Sequence, residues 1–264
     1  MRNGLVFDEF FAVNRAEFVK NSDVNPFSVE TALVFGLSQR HLVSRDDILL
    51  QVEALNAFEA LVADARGAGL DLSVASSYRS FERQALIFNG KLRGERAVLD
   101  DNDRVLDRGQ YSDAEWLYAI LRFSALPGTS RHHWGTDLDV FDRSALRGDL
   151  ELTVSESQTL FADLHVWLDE RMAKDKSCGF FRPYAVDRGG VSPEPWHLSY
   201  APLATVYENT LVPKLWREVL ADLGDVLEGA SLIDRQLEVI FARFVAVPKG
   251  WCPDHYRSEQ SIQA

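Results

Sequence analysis

Cysteine is nearly absent from this chain, with only Cys178 and Cys252 among 264 residues. Two thiols cannot build a disulfide scaffold and form no Cys-x-x-Cys zinc pair; a single disulfide or two reduced thiols fit, and reduced thiols are the preferred reading. A long apolar run is missing too. No stretch is long enough to cross a bilayer. Near the N-terminus Asp8 and Glu9 interrupt the apolar segment a secretory signal needs, and Asn14, Arg15 and Glu17 follow. As written the chain reads as cytoplasmic; as a piece of a longer protein it would read as periplasmic or cell-envelope. Basic residues also fall short: 28 Lys and Arg face 40 Asp and Glu, a formal net charge of -12 with no basic stripe. An acidic surface repels nucleic-acid phosphates and anionic headgroups, which leaves a peptide or a small molecule as the expected partner.

What remains is an ordinary globular composition. Hydrophobic residues make up 46%, enough for a sizeable core. The length suits one large domain or one domain with an appendage. Residues 44–66 predict a helix with Ser44 as N-cap and Ile48, Val52, Leu55, Phe58 and Val62 near helical spacing. Residues 71–77 read as a strand running into a helix that starts after Ser80 and reaches about Leu92. Residues 94–111 read as a loop. Ser112 and Glu115 make a capping box for a helix to about Phe123. Another box at Ser155–Gln158 precedes a helix to about Ala173. Strands are predicted at 178–184 and 196–200, and helices at 203–222 and 231–245. Helices segregated from short strands predict an α+β fold, a small, mostly antiparallel sheet flanked by helices.

The chemistry concentrates in 129–142, TSRHHWGTDLDVFD, and around Glu194. His41, His165 and His255 sit where surface or packing roles suffice. His132, His133 and His197 lie among acids at loop-to-strand transitions. A catalytic zinc takes three N or O ligands from the protein and leaves a position for water. His132 and Asp139 can supply two, with Gly135 letting the chain fold back between them, and His197 can supply the third. Pro195 argues against a helical His-Glu-x-x-His arrangement here. Glu194 would instead stand at a turn beside the metal and accept a proton from the water it activates. The plainer alternative is a set of surface pairs or hydrogen-bonded core histidines.

Ser130-x-His132-x-x-Gly135-x-x-x-Asp139, followed by Glu194-x-Trp196-His197, resembles the signature of VanY-like D-alanyl-D-alanine carboxypeptidases, LAS peptidases that share a zinc site and fold with the hedgehog signalling domain. Upstream, Tyr78-Arg79-Ser80 with Gln84 resembles the family's Tyr-Arg-Ser motif. Gly179-Phe180 through Tyr184 resembles the strand before its Glu-x-Trp-His. The motifs span 77–197 and the family-like core about 30–205. The resemblance implies that Zn2+ is held by His132, Asp139 and His197, that Glu194 is the base, and that Arg79 stabilises the oxyanion. It implies that Ser130, Gln84 and Tyr78 line the substrate site. The substrate would be a peptide ending in D-alanine.

Two departures stand out. Where the family usually has a small residue two positions before the aspartate ligand, this chain has Asp137. It reads as a supporting acid, a competing ligand or an outward residue. Residues 206–264 extend past the motifs as a helical C-terminal extension packed on a catalytic domain of residues 1–205. Rival readings are an L,D-carboxypeptidase, a D,D-dipeptidase or an endopeptidase on wall peptides, a zinc-containing peptide-binding protein without catalysis, and a structural zinc domain. The last is disfavoured because structural sites are usually closed by four cysteine-rich ligands.

Overall fold

The computed structural model describes residues 27–247 and 252–256. The sequence reading of Met1–Lys20 lies outside the described residues. The elements are α1 (Val29–Val34), β1 (Val43–Arg45), β2 (Ile48–Leu50), α2 (Val52–Gly67), β3 (Leu72–Ser76), α3 (Phe81–Leu92), α4 (Asp113–Leu121), β4 (Asp137–Asp142), α5 (Val154–Gln158), α6 (Ala162–Ala173), β5 (Phe180–Phe181), β6 (His197–Tyr200), α7 (Ala201–Thr210), α8 (Pro213–Leu223) and α9 (Ala230–Ile240). β1 and β2 form a hairpin. The other strands form one sheet of order β3-β4-β6-β5, every pairing antiparallel. The α+β fold expected from the sequence is what forms.

Strand alternation sends the two faces of this sheet to different jobs. Leu138, Val140 and Leu198 point to one side, where Leu55, Phe58 and Leu61 of α2 and Leu164 and Leu168 of α6 bury them. Asp137, Asp139 and His197 point to the other. A second core joins Phe35, Phe88, Trp116, Leu117 and Trp134 to Trp216, Val219, Ile233, Leu237 and Ile240. The C-terminal helices therefore share a core with α4. The 205/206 division drawn from the sequence falls inside α7. Among the described residues no helix is long and apolar enough to cross a membrane.

Several sequence expectations are corrected. The helix placed at 44–66 begins only at Val52, because 43–50 is a hairpin. Arg45 pairs with Ile48 across Asp46 and Asp47, whose φ values of 50° and 65° suit a two-residue hairpin turn. Ile48, Val52 and Leu55 satisfy a helical period by coincidence. The capping box before α5 is Thr153 with Glu156, two residues upstream of the predicted one, and the helix drawn from there breaks at Thr159 before α6. The helix drawn over 203–222 is two helices, because Pro213 lacks an N–H and opens a new one at its first turn. The helix drawn over 231–245 widens after Ile240 into a π turn, Phe241–Val245. The strand at 178–184 shrinks to two residues. The Ser112–Glu115 box caps α4 as expected. Neither Cys178 nor Cys252 is in a disulfide among the described residues.

Candidate metal centre

His132 lies in a single 3-10 turn, Arg131–Trp134, that ends on Gly135 at φ 67°. A Cβ on Gly135 would meet Leu42 Cδ2 at 2.2 Å, so the reversal needs glycine. Its carbonyl accepts from the Gln51 N–H at 2.8 Å, and Gln51 Nε2 donates to the Trp134 carbonyl at 2.7 Å. These bonds dock the turn against the start of α2. The chain then enters β4, and Asp139 comes to lie directly opposite His197 on β6.

The three side chains meet. His132 Nε2 is 3.3 Å from Asp139 Oδ2, and His197 Nδ1 is 3.1 Å from Asp139 Oδ1. The two rings stand edge to face with centroids 4.8 Å apart. One donor atom from each residue falls within 4.8 Å of the others, and all three residues are buried. The remaining ring nitrogens are engaged elsewhere. His132 Nδ1 lies 2.8 Å from the Ser77 carbonyl, which can only accept, so that nitrogen carries a proton and Nε2 is the one turned toward Asp139. His197 Nε2 lies 3.0 Å from Asp137 Oδ1. Two imidazole nitrogens and a carboxylate converging, with no thiolate, are a donor set that suits a divalent zinc site of the catalytic kind.

Burial lowers the His132 pKa, which the Asp139 charge opposes. For His197 the burial cost is outweighed by hydrogen bonds to Asp137 and Asp139, and its pKa rises to about 9. Burial resists ionisation of Asp139, yet the two histidines hold it well below the usual carboxylate range.

Glu194 closes the rim. Its N–H donates to the Tyr184 carbonyl at 3.0 Å, and its own carbonyl accepts from His197 N–H at 3.1 Å, which makes the turn into β6. Its carboxylate comes within 3.7 Å of His197 Nδ1, and its side chain keeps 16% exposure. Burial pushes its pKa up to about 7; His197 pulls it down, and Asp139 adds to the rise.

Arg79 sits at the β3–α3 junction. Its Nη1 donates to Gln84 Oε1 at 2.9 Å and its Nη2 to Ser76 Oγ at 3.3 Å. Its backbone N–H donates to the His132 carbonyl at 3.1 Å, and its carbonyl accepts from His133 Nδ1 at 2.6 Å. Gln84 is fully buried behind it and donates to the Ala125 carbonyl at 2.6 Å. Ser130 is buried at the entrance to the His132 turn. The Tyr78 hydroxyl turns away to the Gly36 carbonyl at 2.9 Å.

Three contributors escaped the sequence reading. Lys91 lies seven residues after Gln84 on the same face of α3, a spacing that could have flagged it. Its ammonium donates to Ser124 Oγ at 2.7 Å. Burial lowers its pKa to about 8, helped by Arg96 and Arg79 and opposed by Glu194. Arg131 and Glu208 complete a buried charge chain behind His197, and no local pattern pointed to either.

A family model described as VanY, D-alanyl-D-alanine carboxypeptidase, matches residues 47–203. An uncharacterised protein of Haemophilus influenzae is 44% identical over 99 residues, 36% of this chain and 68% of its own. A D-alanyl-D-alanine carboxypeptidase of Enterococcus faecalis is 29% identical over 159 residues, 59% of this chain and 48% of its own, so this chain spans about half the length of that relative. Among solved structures, a mutant vancomycin resistance D,D-pentapeptidase VanY in complex with Zn(II) superposes with a TM-score of 0.45 at 24% identity, over 69% of this chain and 93% of that one.

Proposed function

Because the chain belongs to the VanY family of D-alanyl-D-alanine carboxypeptidases, we propose that it is a zinc-dependent peptidase that removes a terminal D-alanine from peptidoglycan-type peptides. The observation that carries the reading is the convergence of His132 Nε2, His197 Nδ1 and the Asp139 carboxylate, with the other ring nitrogens already engaged. In the proposed enzyme these three residues hold Zn2+. When bound, the ion supplies Lewis-acid polarisation of the attacking water and of the scissile carbonyl.

The protein's own groups do the rest. Glu194 stands 3.7 Å from His197 Nδ1 without being one of the three converging donors, so its carboxylate is placed to take a proton and later give one up. It receives the proton of the attacking water and returns it to the departing amine. Arg79, braced by Gln84 and Ser76, presents a fixed cation to the oxygen on which negative charge develops. Gln84 acts through Arg79. Ser130 and Tyr78 shape the entrance, Tyr78 by holding the Gly36–Ser38 segment with its hydroxyl. A zinc-containing binding protein would need neither an acid so placed nor a braced arginine beside it.

The test is direct. Zinc-loaded protein is incubated with muropeptides whose stems end in D-alanyl-D-alanine or in a single D-alanine, and the products are weighed by mass spectrometry. Loss of one alanine from the pentapeptide stem alone is the expected result. Cleavage of the tetrapeptide stem instead would make it an L,D-carboxypeptidase, and hydrolysis only of free D-alanyl-D-alanine, offered as a separate substrate, a D,D-dipeptidase. Absence of zinc from the purified protein, with full activity, would sink the metallopeptidase reading.

A further inference from the structure

Asp137 stands two residues before Asp139 on β4 and therefore on the same face. It is fully buried, which removes the outward reading. Its contacts also remove it from the ligand set. Oδ1 accepts from Arg131 Nε at 2.9 Å and lies 3.0 Å from His197 Nε2, while Oδ2 accepts from the Thr136 hydroxyl at 2.5 Å. Both oxygens are committed, and Oδ1 meets the edge of the His197 ring opposite Asp139.

The antiparallel register produces this arrangement. Asp139 is paired with His197 and Asp137 with Ser199, so Asp137 is the diagonal neighbour of His197. The imidazole fits between two carboxylates, Nδ1 toward Asp139 and Nε2 toward Asp137. A neutral imidazole carries its proton on one nitrogen and its lone pair on the other. Carboxylates face both nitrogens here, so the metal-free ring can carry a proton on each; Asp137 is the acceptor that keeps Nε2 protonated when Nδ1 offers its lone pair.

A buried carboxylate needs a counter-charge, and the same turn provides it. Arg131 is buried, and all three of its nitrogens are used: Nε on Asp137, Nη1 on Glu208 of α7 at 2.5 Å, Nη2 on the Ser199 hydroxyl at 2.7 Å. The guanidinium carbon also stands 4.7 Å from the centroid of the Trp134 ring.

We propose that Asp137, anchored by Arg131, is a positioning residue that keeps the proton of His197 on Nε2 and turns Nδ1 toward His132 and Asp139. What the presented nitrogen then binds rests on the zinc reading above. The orienting contact itself does not.

Three variants test it. Asp137→Ala alone would strand the Arg131 cation, so Arg131→Met/Asp137→Ala removes both charges together. Asp137→Asn keeps an acceptor but not the charge. His197→Gln assigns the signal. In the metal-free protein the His197 Nε2 proton is read by 15N-edited NMR of the imidazoles. A downfield, slowly exchanging resonance is expected in the parent protein, shifted upfield in Asp137→Asn and lost in the double variant. Zinc affinity by chelator competition is expected to fall about 10–100-fold in the double variant, the usual range for losing a carboxylate behind a ligating histidine, and to recover partly in Asp137→Asn. A His197 resonance unchanged in Asp137→Asn overturns the proposal whether or not the double variant folds; so does unchanged zinc affinity in a folded double variant. A parent protein that binds no zinc would remove the metallopeptidase reading, while the imidazole spectrum still decides the orienting role.

Discussion

His133 Nδ1 donates to the carbonyl oxygen of Arg79 at 2.6 Å, so the residue after one proposed ligand holds the backbone of the proposed oxyanion residue. The same ring accepts from the Gly128 N–H through Nε2 at 3.1 Å. Burial lowers the His133 pKa to about 3, which keeps the ring neutral and able to do both. Gly36 packs against it so closely that a Cβ there would lie 2.5 Å from Nδ1.

His133→Ala should therefore act at two levels. It opens a buried cavity and leaves the Gly128 N–H and one lone pair of the Arg79 carbonyl unpaired, a loss of about 2–4 kcal/mol. Turnover should fall while zinc content stays full, because the ligands are untouched. Urea unfolding beside a metal assay checks both. A variant as stable and as active as the parent would show that the strap does nothing.

Arg79→Ala is expected to lower kcat at least about 100-fold, comparable to losing one oxyanion donor. Arg79 is part-buried and its guanidinium donates to neutral partners, Gln84 and Ser76, so the fold should survive. A drop of less than tenfold on the true substrate would rule out the role.

Glu194→Gln should retain the fold and full zinc, because Glu194 is not among the three converging donors. The amide cannot accept a proton from water, so turnover should fall by about 10²–10⁴-fold. Substrate should still bind, measurable by calorimetry. Near-parental turnover at unchanged metal content would discard the mechanism and leave the site standing.

His165 gives a stability test away from the site. Burial, together with the nearby Arg182 charge, lowers its pKa to about 3. The unfolded chain binds the proton near pH 6.5, so between about 6.5 and 3 the unfolded state holds more protons than the native one. The stabilising effect is complete above pH 6.5 and is lost as pH falls. The slope for this one group approaches about 1.4 kcal/mol per pH unit. His165→Gln should lose less stability than the parent between pH 7 and pH 5, by urea unfolding at both. Equal losses would exclude His165 as a contributor.

The helical span drawn over 44–66 shows where sequence reading fails. Apolar spacing at Ile48, Val52 and Leu55 fits a helix, but Asp46 and Asp47 adopt positive φ and the hairpin pairs instead. Pro213 was a readable break that the apolar period masked. Where signals were strictly local, as in the capping box at Ser112 and Glu115, sequence and structure agree.

By itself the sequence determined which side chains share a face and which stand at turns. The two-residue period of β4 puts Asp137 and Asp139 together, and Gly135 and Pro195 mark where the chain must reverse. These are local consequences of backbone geometry. Only the tertiary structure decided what each group does, because an imidazole's partners come from far along the chain. Ser77 reaches His132 across 55 residues and Asp137 reaches His197 across 60. Those contacts bring a carbonyl to His132 Nδ1, a carboxylate to His197 Nε2, and Glu208 from beyond the motifs to balance Arg131.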